Sequence, residues 1–564
     1  MTSEGRFRDP LDFLLGGMVA LLALAIIKAP EIGDTLVYVN SILEFRSGHW
    51  TGAFNPLLEF GHLLWRPMGA ALAPAFSTLI PNSAAWTLKL KIGYGLIVVN
   101  EIAAVLAAGL MFSLARRISG SAIAALATAI GLVWANGFLL YTKAGTDYVF
   151  CTAVEIAAIY LLAKPGEHAA RWVRGGALLG LGALFWTPFA LTVPAAAAIP
   201  WAIGDGAPKG KLRAWLTIAV TSGVVYIAVL AAGAWLAGVD SPARWHAWIL
   251  AAQHGWTQTR RGLRAVSGVA RLLFDLSNDG ILLKRFLLKD PYHPVTIAGL
   301  IRLSLWKVGL YYALVAAIAL AALRTGLGRR MLAVFAVAAI PMLFFAIFLF
   351  EPSSPERFLP VLPFLLLTAA AGCSGEGTGK WKWTQWAPAA MLLSVVPVNA
   401  SAFLGSGTTH QLAAAQLEDF ARSAAPGDLL VSIVIREPVT VLIEQQPFDP
   451  LLRGLNIPTY QVLGNTGLSR LWRKELARRV LAQWTAGSDV WITKWGLQER
   501  PAAELGWVEG DDPDVRWHDV PAFLSQLEFD SSTARPDGFV RLARSDRNRA
   551  MLGPLANGTE DERK

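Results

Sequence analysis

The sequence predicts a polytopic α-helical membrane protein of about eleven spans with a C-terminal α/β domain, and three observations carry that reading. Hydrophobic residues make up 54% of the 564-residue chain and charged residues only 16%, where a soluble domain carries about a quarter. Apolar runs of about 17–25 residues, enough to cross a hydrocarbon core, recur along the first 400 positions. From about residue 405 the composition turns polar and mixed in charge. Long unbroken runs exclude barrel strands, which would alternate, and a backbone in lipid must close its own hydrogen bonds as helix.

Taken in order, the expected spans cover 12–29, 92–114, 120–137, 148–163, 174–187, 189–204, 213–238, 304–323, 330–350, 357–373 and 385–404. The first follows "MTSEGRFRDP" without a small-residue cleavage site, so it reads as a retained span. The apolar stretch 63–80 is interrupted by Arg66, Pro67 and Pro74 and reads as a partly inserted or interfacial helix. Basic residues set the orientation. Arg6 and Arg8, Arg116 and Arg117, Lys164, Arg171 and Arg174, Lys209, Lys211 and Arg213, Arg324, Arg329 and Arg330, and Lys380 and Lys382 all fall in loops of one side. The positive-inside rule makes that side cytoplasmic and accounts for much of the +9 net charge, which is therefore no nucleic-acid signature. The expected domains are 1–404, with outer loops 30–91 and 239–303, and a soluble extracytoplasmic domain, 405–564. In the latter, 428–435 and 489–493 read as strands and 469–486 as an amphipathic helix. Cys151 and Cys373 both belong to apolar runs, so no disulfide framework or cysteine metal site is expected.

Ionisable residues gather where the chain leaves the apolar runs on the expected outer side. Glu31 and Asp34 follow the first span three residues apart and share a face if the helix continues for a turn. "NPLLEFGHLLWRPMGA" adds Glu59, His62 and Arg66 at helical 3–4 spacing, and Asp147 opens the fourth span. Glu356 and Arg357 stand at the mouth of the tenth span, where a permanently charged planar guanidinium suits a phosphate. Arg260, Arg261, Arg264, Tyr292 and His293 add cationic and polar groups suited to anionic headgroups or a lipid-linked phosphate. No phosphate-binding Walker loop, dinucleotide fingerprint, zincin helix or nucleophile elbow occurs, so nucleotide-driven transport and serine or zinc hydrolysis have no motif behind them.

The acids after the first span, a further acid at a later outer loop, and "SPERFLPVLPFLLL" at 354–367 resemble the GT-C superfamily of membrane glycosyltransferases. The last segment is similar to the "HKExRFxxPxLP" type of segment in the lipid-linked mannosyltransferase branch, with Ser354 and Pro355 in place of its His and Lys. The resemblance covers about residues 1–405. It implies an inverting hexosyl or pentosyl transfer from a polyprenyl-phosphate sugar to a saccharide, lipid or protein acceptor at the outer face of the plasma membrane. Asp34 would be the general base, with Glu31 next in line and Asp147 orienting acceptor or donor, or sharing a divalent ion with Asp34. A divalent cation such as Mg or Mn is possible in the superfamily, and nothing in the sequence demands one. Two other classes use the same residues without chemistry: a transporter or flippase of lipid-linked saccharides, and a non-catalytic envelope assembly protein. The only candidates for the mid-span charges of a carrier are Asn100, Glu101 and Glu155.

Overall fold

The computed structural model describes residues 3–27, 34–48, 52–80, 87–164, 168–203, 208–252, 263–276, 279–349, 352, 354–374, 386–421, 424–425, 427–432, 459–462, 472–505, 507–510, 516–530 and 538–558. The chain is largely helical and divides into two compact units, one of Met1–Leu276 with Lys307–Leu404, the other of Ser277–Trp306 with Gly405–Lys564. Residues 277–306, which the sequence places in an outer loop, thus cluster with the C-terminal residues.

The first unit begins with α1 (Ser3–Ile26), α2 (Thr35–Ser47), α3 (Trp65–Leu79), α4 (Leu88–Ser119), α5 (Ala122–Val133), α6 (Asn136–Thr142), α7 (Tyr148–Leu162) and α8 (Ala169–Phe185). Helix α4 starts on Thr87, whose side chain accepts from Leu90 N. It stops at Gly120, which takes the left-handed conformation (φ 69°) that ends a helix without a Cβ penalty. Small residues bring α1 against α4. A Cβ on Gly16 would lie 2.4 Å from the Ala108 carbonyl oxygen and one on Gly109 would lie 2.7 Å from Phe13, the close approach that glycine permits between helices in lipid. Helices α5 and α6 bend by 60° at Trp134–Ala135. Further apolar helices follow at Pro208–Leu236, Trp306–Ala322, Gly326–Phe344, Leu362–Gly372 and Ala387–Ala421.

Among the described residues four helices are long and apolar enough to cross a membrane, or five if the bent pair α5–α6 is one span, and shorter apolar helices run at Pro10–Ile26, Tyr148–Leu162, Thr187–Ile203 and Ala387–Phe403. Every stretch expected as a span overlaps helix, while the length criterion admits fewer than the expected eleven. The segment 187–203 shows why: it is broken into a 3₁₀ turn and two five-residue helices around Pro188, Pro194 and Pro200. The helix Pro208–Leu236 presents Val220, Val224 and Ile227 at 61–66% exposure. Such a long apolar stripe is costly in water and favourable in hydrocarbon, so the chain is an integral membrane protein.

The second unit is built on a four-stranded sheet with strands β1 (Leu429–Ser432), β2 (Thr459–Val462), β3 (Val490–Thr493) and β4 (Phe539–Arg541), in the order β2-β1-β3-β4. Strand β1 is parallel to β2 and β3, and β4 is antiparallel to β3. The helix Trp472–Thr485 connects β2 to β3 and buries Trp472, Leu476, Val480 and Trp484 in one core with Val490 and Ile492. The expected strand 428–435 is shorter by this measure, and its residues 433–435 lie outside the described residues.

Candidate functional site

The site grows from one loop. Residues 143–147 join α6 to α7 and are clamped from three sides. Thr35 Oγ1, in the first turn of α2, accepts from Gly145 N at 2.7 Å. Trp65 Nε1, opening α3, donates to Gly145 O at 2.8 Å. Asn100 Nδ2, on α4, donates to Ala144 O at 2.6 Å and to Thr146 O. Lys143 at the loop's start pairs with Glu101 at 2.8 Å. Asp147 at its end is fully buried, so its orientation is fixed by three helices rather than by solvent.

Asp147 Oδ2 lies 2.7 Å from His62 Nδ1, and its Oδ1 has no hydrogen-bond partner among the described residues. Burial pushes the Asp147 carboxyl up, more than the neighbouring imidazole draws it down. Burial works against the His62 imidazolium too. The charge and hydrogen bond of Asp147, with the charge of Glu59, outweigh it and raise His62 above its ordinary value. The Tyr38 hydroxyl stands 3.4 Å from the same Nδ1. Arg66 forms a buried ion pair with Glu59, donates to Pro56 O at 2.9 Å and stacks 5.2 Å above the Tyr38 ring.

Three aromatic residues extend this cluster to a second cation. Tyr148, next to Asp147, packs its ring 4.7 Å from both Tyr141 and Trp186 and 6.0 Å from His62. The Tyr141 hydroxyl donates to Glu356 Oε2 at 2.5 Å. Arg357 lies over the Trp186 ring at 5.5 Å and 3.7 Å from Glu356. The Tyr148 hydroxyl reaches in the other direction, 3.4 Å from Asp34 Oδ2. Asp34 is the N-cap residue of α2, exposed, and makes no side-chain cap bond. One contiguous set of contacts therefore joins Asp34, Glu59, His62, Arg66, Asp147, Glu356 and Arg357.

Several sequence expectations are corrected here. Helix α1 ends at Ile26 and Asp34 begins a separate helix, so Asp34 does not sit on a continuation of the first span; Glu31 lies outside the described residues. Glu59, His62 and Arg66 do not share a helical face. Residues 52–64 are turns, because Asn55 closes an Asx turn on Leu57 N (3.0 Å), and the helix begins only at Trp65, with Pro67 in its first turn. A backbone bond from Thr187 N to Gly61 O (3.1 Å) and a side-chain bond from Trp248 Nε1 to Leu58 O (2.8 Å) hold the segment in place of helix. Arg357 stands in a 3₁₀ turn, Pro355–Val361, ahead of the helix rather than within it. Arg264 is half-buried on the helix Leu263–Ala270, which packs against that turn. Arg260 and Arg261 lie outside the described residues. Tyr292 and His293 belong to the second unit and have structural work there: His293 Nε2 lies 2.7 Å from Pro501 O, and Tyr292 packs on the core that holds Trp517.

The residues missed by sequence reasoning are Tyr38, Tyr141, Tyr148 and Trp186. In apolar runs such aromatics read as core or interface, and only the adjacency of Tyr148 to Asp147 was a signal. Among the described residues no group of three or more His, Cys, Asp or Glu side chains forms a metal-binding set.

Fold and site define a polytopic helical membrane protein with an acid, imidazole and guanidinium network at one end of its helices. The chain is similar to ArnT from Cupriavidus metallidurans in two crystal structures. The one bound to undecaprenyl phosphate is 14% identical with TM-score 0.47, the match covering 97% of this chain and 99% of that one. The apo structure is 15% identical with TM-score 0.49, covering 98% and 99%. No protein-family model matches the chain, and no curated protein matches its sequence.

Proposed function

We propose that the protein is an inverting glycosyltransferase of the GT-C type that moves a sugar from a polyprenyl-phosphate carrier to an acceptor hydroxyl at the outer membrane face. The reading is carried by one observation: an exposed carboxylate, Asp34, joined through Tyr148 and Tyr141 to a buried network that holds the guanidinium of Arg357. In this reading Asp34 takes the proton from the acceptor hydroxyl as its oxygen bonds to the anomeric carbon. The bond from that carbon to the phosphate oxygen breaks, and the lipid phosphate leaves with the electron pair. The sugar inverts because one displacement occurs. Arg357, held on Trp186, offsets the charge developing on the leaving phosphate. Asp147 orients His62 and favours its protonated form, and Arg66, paired with Glu59, packs on Tyr38 beside it.

The carrier reading loses its specific residues. Asn100 clamps the 143–147 loop, Glu101 pairs with Lys143, and Glu155 accepts from Thr192. None of the site's residues lies in the cationic loops expected on the cytoplasmic side, which supports an extracytoplasmic site. The test is transfer from a panel of radiolabelled polyprenyl-phosphate sugars by the full chain in detergent. Turnover with at least one donor is expected. Binding of donors with no turnover on any acceptor class would favour the carrier instead.

A further inference from the structure

A cavity of about 290 Å³ opens at the end of the first unit that carries Arg117, Lys164 and Lys211, lined by Ala169, Trp172, Lys209, Gly210 and Arg213. Lys209 and Arg213 are four residues apart on the helix Pro208–Leu236, so they share a face, and both are exposed. Trp172 is 5% exposed, and its Nε1–H has no hydrogen-bond acceptor among the described residues. A buried donor left without an acceptor is costly, so a lining of this kind favours a ligand that accepts hydrogen bonds. Ala169 opens α8, and its N-cap residue, His168, supplies no side-chain cap bond to the first-turn N–H groups. Two cations, an indole N–H without an acceptor among the described residues, and a helix start that His168 does not cap together suit one phosphate.

Exposed apolar side chains near the lining residues on the same two helices decide between a soluble anion and a lipid. Val173 is 45% exposed beside Trp172, and Leu212 and Leu216 are 51% and 47% exposed on either side of Arg213. A free phosphate has no use for them, whereas the acyl chains of a phospholipid would cover them. We propose that this cavity binds the phosphodiester headgroup of an anionic glycerophospholipid, with Trp172, Lys209 and Arg213 as its contacts. The site is separate from the Asp34 network and does not depend on the glycosyltransferase reading.

The test is native mass spectrometry of the full chain titrated with phosphatidylglycerol, phosphatidylcholine or inorganic phosphate. Lys209→Gln with Arg213→Gln changes two surface residues and should weaken phosphatidylglycerol binding by roughly thirtyfold, at ~1 kcal/mol per cation. Trp172→Phe keeps a ring in the core, removes the N–H, and should weaken it by about tenfold. Phosphatidylcholine binding should be weaker and unmoved by either change. Unchanged phosphatidylglycerol affinity in either variant overturns the proposal. So does displacement of the lipid by millimolar phosphate, which would make the site one for a soluble anion.

Discussion

The Glu59–Arg66 pair is the most exposing place to test the packing of the site. Its side chains are 8% and 7% exposed; Glu59 sits in the non-helical segment 52–64 and Arg66 in the first turn of α3. Removing one partner of a buried pair strands a charge and costs about 3–5 kcal/mol. Arg66→Met removes the ion-pair partner of Glu59, whose carboxylate then acts on Asp147 unopposed by that guanidinium, and should fall near the top of that range. Glu59→Gln leaves Arg66 the Pro56 carbonyl and the Tyr38 ring face, and should fall near the bottom. Independent effects would sum to about 8 kcal/mol in the double variant. With both charges gone, what remains is an orphaned Pro56 carbonyl and lost packing, so the double should lose about 4–5 kcal/mol. The coupling is then about 3–4 kcal/mol. Denaturant titration of the four proteins in the same detergent, followed by tryptophan fluorescence, measures it. An additive double variant would show that the two charges do not depend on each other and would refute the reasoning.

Three further outcomes follow from the same network. The imidazole of His62 should titrate above its ordinary value in an NMR pH series and below it in Asp147→Asn, where burial acts without the carboxylate. Because the folded value is raised, the stability from this group is fully present below the unfolded value of about 6.5 and is lost as pH rises through the folded one. Arg357→Lys keeps a charge but loses the planar fork and part of the stacking on Trp186, and should lower kcat by roughly 10²-fold with little change in thermal unfolding. Gly145→Val places a Cβ 2.6 Å from Thr35 Cγ2, so it should displace the loop and abolish turnover while the α-helical circular dichroism signal is retained.

The helical runs were legible because each reports a bulk property: many apolar residues in succession can only be paired internally in lipid. Strand β3 and the helix Trp472–Thr485 were legible for a similar reason, since each repeats one pattern over its length. Strands β2 and β4 were not, because short strands in polar sequence carry little periodicity. The acids Asp34, Asp147 and Glu356 stood out because charge near an apolar run is costly wherever it falls. Their partners did not. His62 meets Asp147 across 85 positions and Tyr141 meets Glu356 across 215, and no local spacing encodes such pairs. Helical spacing misled at Glu59, His62 and Arg66, where Asn55, Pro56 and Gly61 favour turns over helix. The contact between Glu59 and Arg66 forms all the same.

In the proposed reaction Asp34 removes the acceptor's proton, and single-turnover transfer by Asp34→Asn tests that role. The carboxylate is exposed, and among the described residues its side chain hydrogen-bonds only with Tyr148, at 3.4 Å, so the amide should leave the fold and donor binding intact. With a donor that the wild-type protein uses, the account predicts that the variant binds it with unchanged affinity and transfers the sugar at least 10²-fold more slowly, as loss of a general base requires. Transfer at the wild-type rate by Asp34→Asn would contradict it.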